Sequence, residues 1–427
     1  MSKSNLPKEK IAILGLGYVG LPLAIAFGKN FETIGFDKNK KRIDHLKKNY
    51  DNNNEIKKFE FIQSKYLNFT SNIKLLSKCN YYVITVPTPI FKNKKPNLSF
   101  LISVSKSVGR ILKSGDIVIY ESTVFPGTTE EICIPILEKN SKLKLNKDFF
   151  VGYSPERINP GDKRHTIEKI KKVTSASNKI ALKKINFIYK KIIKAGVYPV
   201  ENIKIAEAAK VIENSQRDLN VAFVNELSII FKRLKINTNQ VLDAASTKWN
   251  FINFSPGLVG GHCIGVDPYY LTYKSIKAGY VPKVILSGRK INDEMPQYIV
   301  NEVKRLILNK NHSISRVKIL ILGLTFKENC NDTRNSKVFD IYRLLKKIKI
   351  SVDVYDPKLN TKLLYGKEKI KLITKIKKNF YNVMIITVGH SEFKKIGSLK
   401  LRKMLKTNSI IYDVKSIFKI EEVDGQL

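Results

Sequence analysis

The chain has 427 residues, 43% of them hydrophobic, enough for two or three packed domains rather than one core. No run approaches the roughly 18–20 uninterrupted apolar residues of a membrane helix. The opening MSKSNLPKEK has no apolar segment of signal-peptide type, so a globular, cytoplasmic protein is expected. Four cysteines, Cys79, Cys133, Cys263 and Cys330, stand far apart with no CxxC pair, which argues against a disulfide framework and a structural zinc site and leaves room for one reactive thiol. The net charge of +40 comes mainly from lysine spread over the whole length, without the aromatic-plus-basic clusters that stack on bases. A nucleic-acid partner is therefore disfavoured, whereas a general positive potential helps to gather an anionic substrate.

In chain order, residues 10–37 read as strand, glycine turn, helix and strand. An apolar run Ile11 to Leu14 leads into Gly15, Gly17 and Gly20, then Leu21 to Phe27, then Thr33 to Phe36 ending on Asp37. Short apolar runs at Tyr81 to Val86, Ile117 to Tyr120 and Phe149 to Gly152 alternate with helix-like stretches, the pattern of a doubly wound parallel sheet. Each run ends in a polar or turn-forming cluster (VPTP, ESTVFPGTTEE, SPERINPGD), where an open α/β sheet keeps its ligands. From Ile203 to Leu234 a helical period without Gly or Pro predicts one long helix, with Ala206, Ala209, Ile212, Leu219, Ala222 and Phe223 as its apolar recurrences. Its apolar faces could serve a dimer interface. A second βαβ-like region follows: strand Val317 to Leu322, helix around Ser336 to Ile348, strand Val352 to Tyr355 ending on Asp356, and strand Val383 to Val388. It has Gly323-Leu324-Thr325-Phe326-Lys327 where the first region has its glycine triplet, so it is not expected to repeat the first in detail or to bind the same cofactor in the same way. The expected fold class is α/β, with two Rossmann-like doubly wound domains joined by a central helical domain. The domain boundaries are 1–200, 201–300 and 301–427.

The glycine triplet between strand and helix, with an acid about 20 residues later, is a dinucleotide signature. Gly15 permits the tight turn, Gly17 lets the pyrophosphate reach the backbone and Gly20 allows close helix packing, with Tyr18 and Val19 completing the turn. Asp37 would hold the adenosine ribose hydroxyls and disfavour a 2′-phosphate, so NAD is expected rather than NADP, although Arg42 lies nearby. Cys263 lies in GLVGGHCIGVDP, where Gly260 and Gly261 would let a bulky ligand approach the thiol and Asp267 could orient a water. A buried small cysteine is the plain alternative there. His262 is read as a packing residue, since adjacency in sequence usually points two side chains apart. Lys210 and Asn214, one turn apart on the long helix near Glu207 and Arg217, are read from the residues alone as either a functional pair or a solvated charged face.

Together GLGYVGLPLA, VPTP, ESTVFPGTT, SPERINPGD, EAAKVIENSQRDLNVAFVNE, GLVGGHCIGVDPYYL and GLTFKENCNDTRNS resemble, in order and over nearly the whole chain, the UDP-sugar 6-dehydrogenases. The resemblance implies an NAD-binding N-terminal domain, a UDP-binding C-terminal domain, a homodimer or a multiple of one, and a four-electron oxidation that requires no metal. It implies Cys263 as nucleophile, and Lys210 and Asp267 as groups that position water and stabilise charge. Asn214 is implied as a substrate ligand, with Thr123 and Glu156 assisting the chemistry and either Glu156 or an Asp267-held water as base. Pro87, Thr88, Ser122, Thr123 and Arg334 are implied at the cofactor, and Arg157, Ile158, Gly260 and Lys327 at the substrate. GGHC followed by VDPYY, in place of a GGxCFPKD-like loop, resembles the branch acting on UDP-N-acetylhexosamines. SPERINPGD, with Ser154 where the N-acetylmannosamine group more often has cysteine, resembles the N-acetylglucosamine group.

Overall fold

The computed structural model describes residues 8–53, 55–158, 165–359, 370 and 372–427. By internal contacts they form two compact units, Met1–Glu213 with Tyr269–Tyr280, and Asn214–Pro268 with Val281–Leu427. Residues 159–162 of the SPERINPGD segment lie outside the described residues.

The first unit is built on an eight-stranded sheet: β1 Lys10–Leu14, β2 Glu32–Phe36, β3 Leu67–Thr70, β4 Tyr81–Ile84, β5 Ile117–Tyr120, β6 Phe150–Tyr153, β7 Lys172–Ala176 and β8 Val197–Pro199. The spatial order is β3-β2-β1-β4-β5-β6-β7-β8, parallel throughout except where β6 meets β7. Its first six strands follow the doubly wound dinucleotide order, with the direction of winding reversing between β1 and β4. The strands read as unbroken apolar runs because helices cover both faces. Ile11 and Ile13 join Leu21, Ala24, Phe27 and Val83 on one side, while Ala12 and Leu14 join Tyr82, Ile84, Val118 and Tyr120 on the other. Each of the larger side chains among these, taken from water, contributes about 1.5–3 kcal/mol.

The second unit carries a five-stranded parallel sheet: β9 Lys318–Leu322, β10 Ser351–Tyr355, β11 Val383–Ile386, β12 Ile410–Asp413 and β13 Gly425–Gln426, in the order β10-β9-β11-β12-β13. Ile319, Ile321 and Ile385 face one core cluster, and Leu320, Leu322 and Ile386 the other. The two α/β regions repeat each other more closely than their sequences suggest. Gly15 has φ 101° and Gly323 φ 94°. Their amides donate to Phe36 O and Tyr355 O at 2.9 and 2.8 Å. The amides of Leu16 and Leu324 donate to the carboxylates of Asp37 and Asp356, and Thr85 and Thr387 donate to the carbonyls of Gly15 and Gly323, both at 2.7 Å. The expectation of no detailed repeat is corrected on this point. The shared device is the first glycine, a strand-end acid and a strand-end threonine, which a search for a glycine triplet passes over. One difference lies two positions after the glycine, where Thr325 is wholly buried and Gly17 is exposed.

The long helix spans Ile203–Leu234, as its period predicts. Its inner face is mixed rather than apolar: Ile203, Ala206, Val211, Ala222 and Val224 are buried together with a polar stripe. Ile212 and Phe223 are 54% and 56% exposed, whereas Glu207, Asn214, Asp218 and Asn225 have no exposure. The solvated charged face weighed for Lys210 and Asn214 is therefore corrected, because this stripe points into the protein.

The glycines of the first turn differ in the space they leave. A Cβ on Gly20 would stand 1.8 Å from Gly15 O, and one on Gly17 would meet nothing within 4 Å. Gly20→Ala is expected to cost the first unit about 3 kcal/mol in urea unfolding. Gly17→Ala is expected to change stability by less than about 0.5 kcal/mol.

Candidate active site

The carboxyl ends of β1, β2, β4, β5 and β6 gather the residues that the sequence marks for cofactor and substrate. At the glycine turn the exposed Gly17 opens the backbone, and the helix Gly20–Gly28 begins directly behind it, its positive dipole end towards the turn. Asp37 at the end of β2 is held by two amides: Leu16 N to Oδ2 at 3.0 Å and Asn39 N to Oδ1 at 2.9 Å. A carboxylate fixed by two donors is well placed to accept from ribose hydroxyls and to repel a 2′-phosphate. Arg42 does not offset this charge at the turn. Its Nε and Nη2 donate to Leu16 O at 3.1 and 3.0 Å, and its Nη1 pairs with Asp51 Oδ1 at 2.6 Å. It braces the glycine turn from behind. The open Gly17 backbone, the helix terminus and the anchored acid together fit NAD. Pro87 and Thr88 continue from β4, and Ser122 Oγ donates to Val86 O at 2.7 Å, tying the ends of β4 and β5 together beside the half-buried Thr123.

At the end of β6 the chain turns through Glu156, Arg157 and Ile158. Glu156 is 5% exposed. Its Oε1 accepts from the amides of Arg157 and Ile158 at 2.6 and 3.1 Å, and its Oε2 accepts from Lys172 Nζ at 2.6 Å. Arg157 Nε pairs with Glu213 at 3.0 Å. Lys210, 5% exposed on the long helix, donates its ammonium to the Glu156 carbonyl. One turn earlier, Glu207 accepts from Gly127 N at 2.5 Å and Thr129 N at 2.9 Å, clamping the loop that follows Thr123. Burial pushes the Glu207 carboxyl up to about 7 against these donors. None of Lys172, Glu121 and Glu207 stood out in the sequence as a site residue. The only signal was an acid or lysine at a strand end or on an otherwise helical stretch.

In the second unit Cys263 is exposed, in a turn that leads into the helix Asp267–Lys277. The amides of Val266 and Asp267 donate to Cys263 O at 3.0 and 2.8 Å, so the residue stands one turn ahead of a helix N-terminus. The alternative of a buried small cysteine is thereby set aside. Asp267 is 3% exposed and accepts from Asn214 Nδ2 at 2.5 Å, which couples the cysteine turn to the long helix. Further along that helix Asn225 pins Gly257 through two hydrogen bonds, N to Oδ1 at 2.8 Å and Nδ2 to O at 3.0 Å.

The paired glycines do something other than admit a ligand. A Cβ on Gly260 would meet Asn335 O at 2.7 Å, and one on Gly261, at φ 84°, would meet the Phe326 ring at 2.8 Å. They let the cysteine segment close on the loop after β9, and Asn335 Nδ2 completes the seam by donating to Gly261 O at 3.1 Å. His262 belongs to the same seam, with Nε2 2.8 Å from Asp332 Oδ2 and its ring 5.8 Å from that of Phe326. Burial would raise the Asp332 carboxyl, but His262 and Arg334 outweigh it and hold the group below the usual carboxylate range. Arg334 meets that carboxylate through Nε at 3.0 Å and Nη2 at 2.7 Å. Lys327 lines a cavity with Leu258, Gly260, Phe326, Ser336 and Lys415. Such a recess, with Lys327, Lys337 and Lys415 set against the single acid Glu328, suits a phosphorylated ligand.

Comparison with known proteins gives one consistent answer. Residues 9–193 match the NAD binding domain of the UDP-glucose/GDP-mannose dehydrogenase family, residues 204–294 its central domain and residues 320–420 its UDP binding domain. The chain is 51% identical over 423 residues to the UDP-N-acetyl-D-glucosamine 6-dehydrogenase of Salmonella typhi, covering 99% of this chain and 100% of that one. It is 47% identical to protein CapL of Staphylococcus aureus, covering 97% and 98%. Among solved structures, a UDP-D-ManNAc dehydrogenase from Pyrococcus horikoshii superposes with a TM-score of 0.87 at 29% identity, covering 96% of each chain.

The raised Glu207 carboxyl has a consequence for stability. A carboxyl raised from 4.5 to about 7 on folding favours the native state fully below pH 4.5, and that contribution is lost as pH rises through 7. Glu207→Gln removes the titration. Its stability relative to wild type should rise by up to roughly 3 kcal/mol between pH 4.5 and pH 8 in urea titrations. A pH-independent difference would show that Glu207 keeps an ordinary carboxyl.

Proposed function

The chain belongs to the UDP-glucose/GDP-mannose dehydrogenase family, and from that premise we propose that it oxidises the C6 alcohol of UDP-N-acetylglucosamine to the carboxylate, reducing two NAD per sugar. The observation that carries the reading is the exposed Cys263 at a helix N-terminus, with Asp267 and Asn214 joined behind it. NAD, when bound at the glycine turn, accepts the hydride. The rest of the chemistry falls to side chains. Once C6 is at the aldehyde level, the Cys263 thiolate adds to it as a thiohemiacetal, and loss of a second hydride leaves a thioester that water cleaves. Lys210 supplies positive charge for the developing oxyanion and Asn214 an amide donor. Asp267 is the carboxylate suited to take the proton of the attacking water. Glu156 is the other carboxylate available for that step; its oxygens accept from Lys172 and from the amides of Arg157 and Ile158.

The substrate class follows from two features. Lys327 and Lys415 in the recess beside Gly260 suit a diphosphate. The N-acetylglucosamine epimer rests on the 51% and 50% identical relatives from Salmonella typhi and Pseudomonas aeruginosa, both named as UDP-N-acetyl-D-glucosamine 6-dehydrogenases, together with the SPERINPGD pattern. The relationship to CapL suits a role in surface polysaccharide synthesis, with the reaction placed in the cytoplasm. No helix among the described residues is long and apolar enough to cross a membrane. We further propose a division of labour over residues 1–200, 201–300 and 301–427 into cofactor, helical and nucleotide parts.

The outer face of the long helix supports a homodimer. Ile205, Ile212, Phe223, Ile230 and Leu234 are 42–60% exposed along one helix, and Trp249 nearby in sequence is 97% exposed. A soluble chain covers a row of this kind with a second copy more readily than it leaves it in water.

Purified protein should form two NADH per UDP-N-acetylglucosamine consumed, read at 340 nm and by mass spectrometry of the product. Cys263→Ala should abolish acid formation. A stoichiometry of one NADH would sink the thioester route, and preference for UDP-N-acetylgalactosamine, UDP-N-acetylmannosamine or UDP-glucose in parallel assays would move the substrate. For the dimer, Phe223→Lys with Ile212→Lys should halve the mass measured by light scattering, and an unchanged mass would remove that face from the interface.

A further inference from the structure

The first unit buries a charge cluster to which the steps above give no task. Lys172 opens β7 with 3% exposure, and its Nζ lies 2.8 Å from Glu121 Oε2 and 2.6 Å from Glu156 Oε2. Tyr189, wholly buried, donates its hydroxyl to the other oxygen of Glu121. Glu121 itself directly follows β5 at 3% exposure, next to Ser122 and Thr123. A lone buried ammonium or carboxylate is expensive, so one ammonium among two carboxylates and a phenol holds all four groups in one arrangement. Burial acts to lower the lysine, but the two carboxylates outweigh it and keep the ammonium charged.

The cluster bears on catalysis through the backbone. Lys172 holds one oxygen of Glu156 while the amides of Arg157 and Ile158 hold the other, so the peptide after β6 is folded around its own carboxylate. The carbonyl of that same residue accepts the Lys210 ammonium. Ser154 Oγ adds a bond to Val173 O at 2.7 Å, which fastens the turn to β7 two residues upstream. We propose that Lys172, backed by Glu121 and Tyr189, is a positioning residue of the dehydrogenase: by fixing the Glu156 carboxylate it sets the carbonyl that aims Lys210. The inference rests on the reading of Lys210 as the cation of the reaction, and it assigns Lys172 no contact with substrate or cofactor.

The test couples Lys172 to Lys210. Lys172→Met should lower kcat by roughly 10- to 100-fold, the scale of a misaimed catalytic group, with KM for UDP-N-acetylglucosamine and NAD changed by less than about threefold. Lys172→Arg, which keeps a charge able to fork between two carboxylates, should recover most of that loss. In a Lys210→Ala background, Lys172→Met should change kcat by less than about twofold, because the group it positions is gone. Equal losses in both backgrounds, or a lower melting temperature with unchanged kcat, would overturn the proposal. Should Lys172→Met fail to fold, Glu121→Gln serves in its place. A positioning role predicts that its loss of kcat vanishes in Lys210→Ala, and a loss that persists there would overturn the proposal. A readout independent of turnover is reductive methylation followed by peptide mass mapping. Lys210 should be protected in the wild type and modified faster in Lys172→Met or Glu121→Gln, and unchanged protection would refute the positioning role even if no UDP-sugar were oxidised. Absence of NADH formation by the wild type with every UDP-sugar, alongside altered Lys210 protection, would overturn the proposed function and leave the positioning of Lys210 standing.

Discussion

The long helix Ile203–Leu234 buries a polar stripe, and much of what is functional in the chain follows from that constraint. Glu207, Lys210, Asn214, Asp218 and Asn225 recur at helical spacing with 5% exposure or less. Every one of them must find a partner, because an unmet buried polar group costs about 1–3 kcal/mol and a charge more. The partners are loops and strand ends rather than other helices alone: the turn at Gly127 and Thr129, the Glu156 carbonyl, Asp267, and the backbone of Gly257. Asp218 is met by Arg289 and Asn292 from the helix Lys283–Asn309, and Asn292 hands the network on to Asn225. Within each unit, groups one turn apart on the helix, such as Glu207 and Lys210 or Asn214 and Asp218, are held at a fixed spacing. An apolar inner face would pack as well and position nothing.

A second economy lies in the two sheets. Both use a positive-φ glycine after the first strand, a carboxylate at the end of the next and a threonine that donates to the glycine carbonyl. What differs is the residue two places after the glycine. Gly17 leaves room at the backbone, whereas Thr325 fills that place, and the Asp356 carboxylate is also engaged by His390. One backbone device thus supports two ligand chemistries, because the side chains beyond the shared turn decide what can come near.

The cysteine segment shows how a glycine pair can be misread. Before a reactive thiol, Gly260 and Gly261 suggest space for a ligand, yet their missing Cβ atoms are replaced by Phe326 and Asn335 of the same unit. His262 and Asp332 close the seam. These contacts hold the segment against the β9 loop and leave Cys263 exposed ahead of its helix, so packing behind the loop and exposure of the thiol in front of it come from the same few residues.

The sequence by itself determined the elements and the cofactor turn. Spacing of apolar residues reports which stretches are strands or helices, and Gly15, Gly17, Gly20 and Asp37 are local requirements met within about 25 residues. Cys263, Lys210, Asn214, Glu156 and Lys327 were legible as candidates because whole segments stand in a familiar order. Three things were decided only by tertiary structure: which face of the long helix is inside, what the paired glycines accommodate, and that Lys172 meets Glu121 and Glu156 across distances of 51 and 16 residues. Periodicity says that a helix has two faces and not which one is buried. A charged residue in a strand looks the same in sequence whether it meets water or two carboxylates, since its environment is made by segments far away in the chain.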